Sequence, residues 1–565
     1  MEEIIKPIHL PFNVMVVLIS TILCVETIFA QDAPEACENE SVVSFSIIHP
    51  WHDDVPAGEI RCLVIDVKIG EKVRAVVEIE EKPPFTGARV ELFSHGNTEP
   101  ILNPVFGNVN RQVITWEAKS TGPHYLVLRD FWTMRGTVST ISTRVWLQAT
   151  HTPDEVSAQE KSLKNDPRVK WLQDNATSVR SINSGDNDFS DLEPLHDALK
   201  DVRLVLLGEA DHGSGSDFLA KTRLVKFLHQ ELGFDVLAME APMYDMTVAW
   251  DSLKSGAPAR ESFALGALGQ WHGSEQMQPL IEYISKESAG NQPLELAGFD
   301  NQPQMASVRF FVDDLTGFLT EQGVDSPLID PESAEYGILE ALAEVRYRQG
   351  IEQIPDETKR NRFLSALDDV VESVSKLEGE GVRLWNRVLR SFAFHARRVF
   401  APAEGVSFWE AAALRNEQMA ENLIWLKKEW YPDRKIIAWA ANAHVMRLSD
   451  IPPAGGSGPS MGYSIGETFG SESYVIAMVS YQDDRKSIVP DQHILPEFEE
   501  LMEAAGFEYG FLDIRQTAHD GYWTSIPFPA RAAFGHVTEE KKWNEILDAF
   551  FFIRNQERSR PIGNP

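Results

Sequence analysis

Residues able to activate water cluster in one stretch of this chain. From Leu204 to Ala241 the sequence reads LVLLGEADHGSGSDFLAKTRLVKFLHQELGFDVLAMEA. Glu209 and His212 stand three positions apart just after one apolar run, and Glu240 closes a second. An imidazole between carboxylates can act as a general base whose pKa the carboxylates tune. The same donors can ligate a divalent metal that activates water. A third option, a serine nucleophile at Ser214 or Ser216, lacks a Gly-x-Ser-x-Gly elbow on a strand-to-helix turn. The Gly213–Ser216 run also lacks the Gly-Lys-Ser/Thr ending of a phosphate loop.

Strands and helices must bring these groups together. Arg203–Gly208 reads as a strand, and Asp217–Leu232 as a helix with Phe218, Val225, Leu228 and Leu232 on one face. Gly233 stops that helix. Phe234–Met239 is the second strand, Pro293–Phe299 a third ending at Asp300, Lys435–Ala441 a fourth running into His444, and Ser473–Tyr481 a fifth. Tyr509–Ile514 and Leu547–Ile553 are expected to add edge strands, with a helix the alternative for the latter. Alternating strands and helices predict a parallel sheet, whose carboxyl-terminal edge is where ligands and chemistry collect. Glu209, His212, Glu240 and His444 should face one crevice there. Asp300 reads as a helix N-cap. Lys221, Arg223, Asp300 and Arg415 are the candidates for touching substrate, while His395 reads as core.

Between the third and fourth strands lies a helical pattern over about residues 305–430, too long for a simple crossover. It is expected to form a subdomain that covers the sheet edge. Ahead of the α/β part, residues 31–150 alternate short runs of β-formers with turn residues, the pattern of a small sandwich. Residues 151–167 are polar and aperiodic and read as a linker, so the second domain spans 168–565. The expected fold is therefore α/β: a parallel-sheet core with a large helical insertion, preceded by a small all-β domain.

Residues 1–30 read as a secretory signal peptide with an apolar run at Phe12–Val25 and Ala30 before Gln31. An exported protein is expected, periplasmic or extracellular, with no membrane insertion after cleavage. Cys37 and Cys62 are the cysteines left after that cleavage and read as a disulfide. A formal net charge of -33 argues against nucleic acid and anionic membranes as partners. The β-domain is read as a spacer or a module for a surface or polymer ligand.

LLGEADHG, the Lys221-x-Arg223 helix ending in LGF, the strand ending MEA, Leu296–Asp300, Arg415–Ala420, Trp439–Val445 and Met461-Gly462 occur in the order found in the erythromycin esterase family. About residues 168–555 resemble that family. The resemblance implies an α/β core with a helical insertion and a hydrolase, typified by enzymes that open macrolide lactones. Its functional residues map onto Glu209, His212, Glu240 and His444, with His212 first in line to activate water and His444 able to share or take that role. The substrate implied is a small ester or macrolide lactone. Two positions depart from the pattern: Ala441 stands where the family has a second histidine, and Asn416 where it has aspartate. The lost imidazole makes a rich metal site less favourable. No cofactor is expected, and a divalent metal stays open as a rival, as does a ligand-binding role without catalysis.

Overall fold

The structure is a computed structural model. It describes most of residues 34–131 and nearly all of 141–563; residues 1–33, 106–110, 132–140, 346–354, 450–457, 484–495 and some shorter stretches are outside the description. The expected signal peptide lies among the latter. No described helix is long and apolar enough to cross a membrane.

The chain divides into two compact units, residues 1–159 with 484–489, and 160–483 with 490–565. In the first, a five-stranded sheet and a four-stranded sheet share one apolar core. Alternate residues of each strand enter it, such as Leu63, Ile65 and Val67 of one sheet and Val73, Ala75 and Val77 of the other. This is the expected sandwich. Cys37 and Cys62 form the expected disulfide, their Cα atoms 6.0 Å apart. The segment read as an aperiodic linker is instead largely helical, with helices at Pro153–Leu163 and Pro167–Asn175. The first of these is mostly exposed and polar, so it carries no apolar stripe for periodicity to reveal. The boundary between the units falls within it.

The second unit is built on a sheet whose described strands run in the order Thr177–Val179, Tyr509–Asp513, Ala549–Gln556, Ser473–Asp483, Leu204–Leu207, Lys435–Trp439, Phe234–Pro242, Glu295–Asp300. From Ala549–Gln556 onward all neighbours pair in parallel, and Tyr509–Asp513 joins antiparallel to both its neighbours. The two strands expected at an edge are therefore interior. The run Phe550, Phe551 and Phe552 is buried on both faces of the sheet, which suits an interior strand and not an edge. Successive strand residues feed opposite cores: Leu206, Ala238 and Ala438 one side, Leu207, Met239 and Trp439 the other.

The insertion comprises helices at Met305–Glu321, Ala334–Ala343, Glu357–Ser375, Glu380–Phe400 and Phe408–Trp425. His395 is fully buried there, and burial pushes its imidazole down to about 3, as a core residue would be. The last helix is welded to the sheet by Asn422, whose Nδ2 donates to the Phe299 carbonyl at 2.9 Å. Arg415, Met419 and Asn422 recur at spacings of four and three residues, so the face that docks on the strand also carries Arg415.

Candidate active site

The loops after two adjacent strands meet at the sheet's carboxyl-terminal edge because Gly208 lets them. A Cβ there would lie 1.9 Å from Asn442 Oδ1. Asn442 fastens the crossing: its backbone N–H donates to Glu209 O at 2.8 Å, and Nδ2 donates to Met478 O and Ala532 O. Gly462 serves the His444 loop in the same way, since a Cβ would sit 1.9 Å from Val445 O.

Glu209 is fully buried and has four partners. Lys221 Nζ donates to Oε2 at 2.9 Å, Trp439 Nε1 to Oε2 at 3.0 Å and Trp271 Nε1 to Oε1 at 3.2 Å. His212 Nδ1 lies 2.8 Å from Oε1. The Lys221 ammonium also sits 3.9 Å above the Trp439 ring. A carboxylate only accepts, so His212 must donate from Nδ1. In the neutral ring the lone pair is then on Nε2. That atom faces Glu240, 3.9 Å from Oε1.

Glu240 anchors the other half. Its Oε2 accepts from Ala441 N at 3.0 Å, and its Oε1 accepts from Arg415 Nη2 at 2.7 Å and lies 3.3 Å from His444 Nε2. Arg415 also grips Asp300 with two parallel bonds, Nε to Oδ1 at 2.9 Å and Nη2 to Oδ2 at 2.7 Å. Its Nη1 is 3.1 Å from His444 Nε2, and His444 Nδ1 is 2.7 Å from Asn416 Oδ1. A guanidinium only donates. His444 Nε2 therefore stands between a donor, Arg415 Nη1, and an acceptor, Glu240 Oε1.

Burial alone would lower the His212 pKa, but the Glu240 charge and the Glu209 hydrogen bond and charge outweigh it and raise it above the usual histidine value. Burial would raise Glu240, yet the His444 and His212 imidazoles and Arg415 hold it well below the carboxylate range. Behind Glu209, burial and the Glu209 charge push Asp217 up to about 7. Among the described residues no group of three or more His, Cys, Asp and Glu side chains has the geometry to hold a metal ion.

Glu209, His212, Glu240, His444, Asp300 and Arg415 are thus gathered in one place. Three expectations need correction. Arg223 points away: it donates to Ser181 O at 2.7 Å, Asp188 O at 2.6 Å and Asp191 Oδ1 at 2.5 Å. Two residues along a helix from Lys221, it faces nearly the opposite side. Lys221 does reach the site, but its ammonium is fully buried against Glu209 and offers no surface to a substrate. Asp300 caps no helix; the next one begins at Met305 behind Gln304, and the Asp300 carboxylate holds Arg415. Ser214 and Ser216 are buried, with Ser216 Oγ accepting from Glu557 N at 2.9 Å. Trp271 went unforeseen, because nothing in the run GQWHGSE signals that its indole would reach Glu209. A cavity of about 650 Å³ beside Arg203, Lys427 and Glu472 opens at the amino-terminal edge of the sheet, away from these groups.

The placement of Arg223 has a measurable consequence. Arg223→Met should lower Tm, since it strips a buried hydrogen-bond network, while kcat/KM stays at the wild-type value. A large loss of kcat/KM at unchanged Tm would return Arg223 to the site.

Comparison with known proteins fits this geometry. The sequence model of erythromycin esterase matches residues 229–555. The chain belongs to the erythromycin esterase family. Glu240, Asp300, Arg415 and His444 lie within the matched range of this family member, and Glu209, His212 and Lys221 precede it. A Bacillus subtilis (strain 168) protein named as a hydrolase, YbfO, is 25% identical over 426 residues, 68% of this chain and 90% of YbfO. Two solved structures share the fold. A succinoglycan biosynthesis protein superposes with a TM-score of 0.56 at 19% identity, covering 71% of this chain and 99% of the other. An erythromycin esterase mutant of EreC in its open conformation gives 0.53 at 16% identity, covering 69% and 99%.

Proposed function

We propose that this hydrolase of the erythromycin esterase family cleaves a neutral ester or lactone by direct attack of water, with His212 as general base. The observation that carries the reading is the buried Lys221–Glu209–His212 chain. It holds the imidazole in one tautomer and turns the Nε2 lone pair toward Glu240, the carboxylate that Arg415 and His444 share. Nε2 takes a proton from water as its oxygen bonds to the carbonyl carbon. Glu209 stabilises the imidazolium so formed, as a buried carboxylate does in other hydrolases. Arg415, the cation paired with the Glu240 oxygen that faces Nε2, is assigned to the tetrahedral oxyanion. The carbon–oxygen bond of the leaving alkoxide then breaks, and His212 returns the proton to that oxygen. His444, whose Nε2 lies between Arg415 and Glu240, is assigned to hold both in place. The erythromycin in the relatives' names makes macrocyclic lactones one class to test. The Phe12–Val25 run and the Cys37–Cys62 disulfide support export.

We assign the chemistry to side chains, with Arg415 supplying positive charge. Turnover of a panel of esters and lactones should therefore persist in chelator. Loss of turnover on chelation, restored by a divalent ion, points to the metal-dependent route. Tight binding of a panel member without turnover points to a binding protein.

The pH profile is a second check. His212 must be neutral to act as base, and its pKa is raised. The acid limb of kcat/KM should therefore rise through a midpoint above the usual histidine value of about 6.5. Glu240→Gln removes a charge that raises His212, so its residual activity should show that limb shifted to lower pH. A limb that stays put in this variant would mean another group titrates.

A further inference from the structure

A small cavity of about 20 Å³ lies between the ends of the Phe234–Pro242 and Glu295–Asp300 strands and the Glu380–Phe400 helix of the insertion. It shares Asp300 with the site described above. Its walls are mainly apolar, including Tyr244, Phe311 and Phe392. The polar side chains on it are nearly all committed elsewhere. The Tyr244 hydroxyl donates to Asp314 at 2.6 Å, Ser307 Oγ donates to Asp245, Ser391 Oγ accepts from Asn422 at 3.0 Å, and Asp300 holds Arg415.

Asn301 is the exception. It is 5% exposed, yet both its Nδ2 and its Oδ1 are buried with no hydrogen-bond partner among the described residues. A buried carboxamide with neither group paired destabilises the free protein. An apolar residue of the same size would avoid that cost. The cavity holds about one oxygen-sized group, as one water needs roughly 10–15 Å³. It has no free charge to pair with an ion, so its occupant is neutral. A hydroxyl suits it, donating to Oδ1 and accepting from Nδ2.

We propose that Asn301 is a specificity-determining residue that binds a hydroxyl carried by the substrate near its reacting carbonyl. The substrate class is then a neutral hydroxylated ester or lactone. This rests on the hydrolase reading above.

The test uses the full chain and two esters that differ by one hydroxyl, ethyl 3-hydroxybutyrate and ethyl butyrate. Wild type should prefer the hydroxy ester in kcat/KM by roughly tenfold or more, the worth of two modest hydrogen bonds. Asn301→Leu should bring the ratio close to one, chiefly by raising KM for the hydroxy ester, and should hold or raise Tm because an unpaired amide is gone. Asn301→Ser should retain part of the preference. A ratio unchanged in Asn301→Leu overturns the proposal. So does an equal loss on both esters with a fall in Tm, which would mark a purely structural water site. If neither ester is turned over, the hydrolase reading is at fault on these substrates, and Asn301 is read by binding. The hydroxy ester should then raise the Tm of His212→Ala more than ethyl butyrate does, and that difference should vanish in His212→Ala/Asn301→Leu. No difference in the first variant overturns the proposal as well.

Discussion

His212→Ala should lower kcat/KM for ester or lactone hydrolysis by roughly 10²–10⁴-fold, the usual contribution of a positioned general base. Tm should change little by comparison. His212 is at the rim, 9% exposed, and the carboxylate behind it keeps Lys221 and both indoles as partners. The loss should fall mainly on kcat, because the base acts in the transition state and not in binding. Added imidazole should recover part of the rate if the space left by the ring admits it. Wild-type turnover in this variant would transfer the role of base away from His212, with His444 the next residue to test.

Glu209→Ala is expected to act on stability as well as rate. It leaves the Lys221 ammonium and the Trp271 and Trp439 N–H groups buried without their acceptor. Removing one partner of a buried ion pair typically costs about 3–5 kcal/mol. Denaturant unfolding of the second unit should show a loss of that order. Burial already pulls the Lys221 pKa below the usual lysine value, and only Glu209 and nearby carboxylates oppose it. Glu209→Ala/Lys221→Met should therefore recover much of the stability, since it removes the stranded charge, but none of the activity, since His212 keeps no partner to fix its tautomer. Equal stability losses in the single and double variants would mean the indoles, not the ammonium, dominate the cost.

The two variants separate what holds the site from what reacts in it. Glu209 lies at the centre of the holding part, and so do the tryptophans that surround it. Asp217 lies just behind, its Oδ2 accepting from Ala210 N at 3.2 Å. With its pKa near 7, Asp217 is poised to shed its charge as pH falls, which lessens the repulsion on Glu209. Such a layer is common beneath reactive groups, where rigid neighbours keep a base in one rotamer and one tautomer.

Much of this was legible along the chain. The strands that end at Glu209, Glu240 and Asp300, and the strand leading to His444, were readable because apolar runs end there in residues that a core cannot hold unpaired. The helix after His212 was readable from its apolar face and its Gly233 stop, which adopts φ 68°. The family's motifs, too, lie in sequence order. The sandwich was readable from alternation and turns, and the Cys37–Cys62 bridge from the pair of cysteines left once the expected signal peptide is removed from an exported chain.

Other features needed the folded chain. Lys221 and Arg223 look alike in sequence, two cations on one helix, yet one closes on Glu209 and the other on Asp191. Which side each faces depends on how the helix docks, a matter of its whole buried surface. Asp300 read as a cap because local rules know only its neighbours, while its partner Arg415 is 115 positions away. Trp271 and Asn301 carry no periodic signal at all. Residue types and their place at strand ends were determined by the sequence, because backbone periodicity and burial are local properties. The pairing of Arg415 with Asp300, the tautomer of His212, the partners of His444 and the unpaired amide of Asn301 were decided only by tertiary structure, because hydrogen bonding across the sheet edge depends on distances that no local pattern encodes.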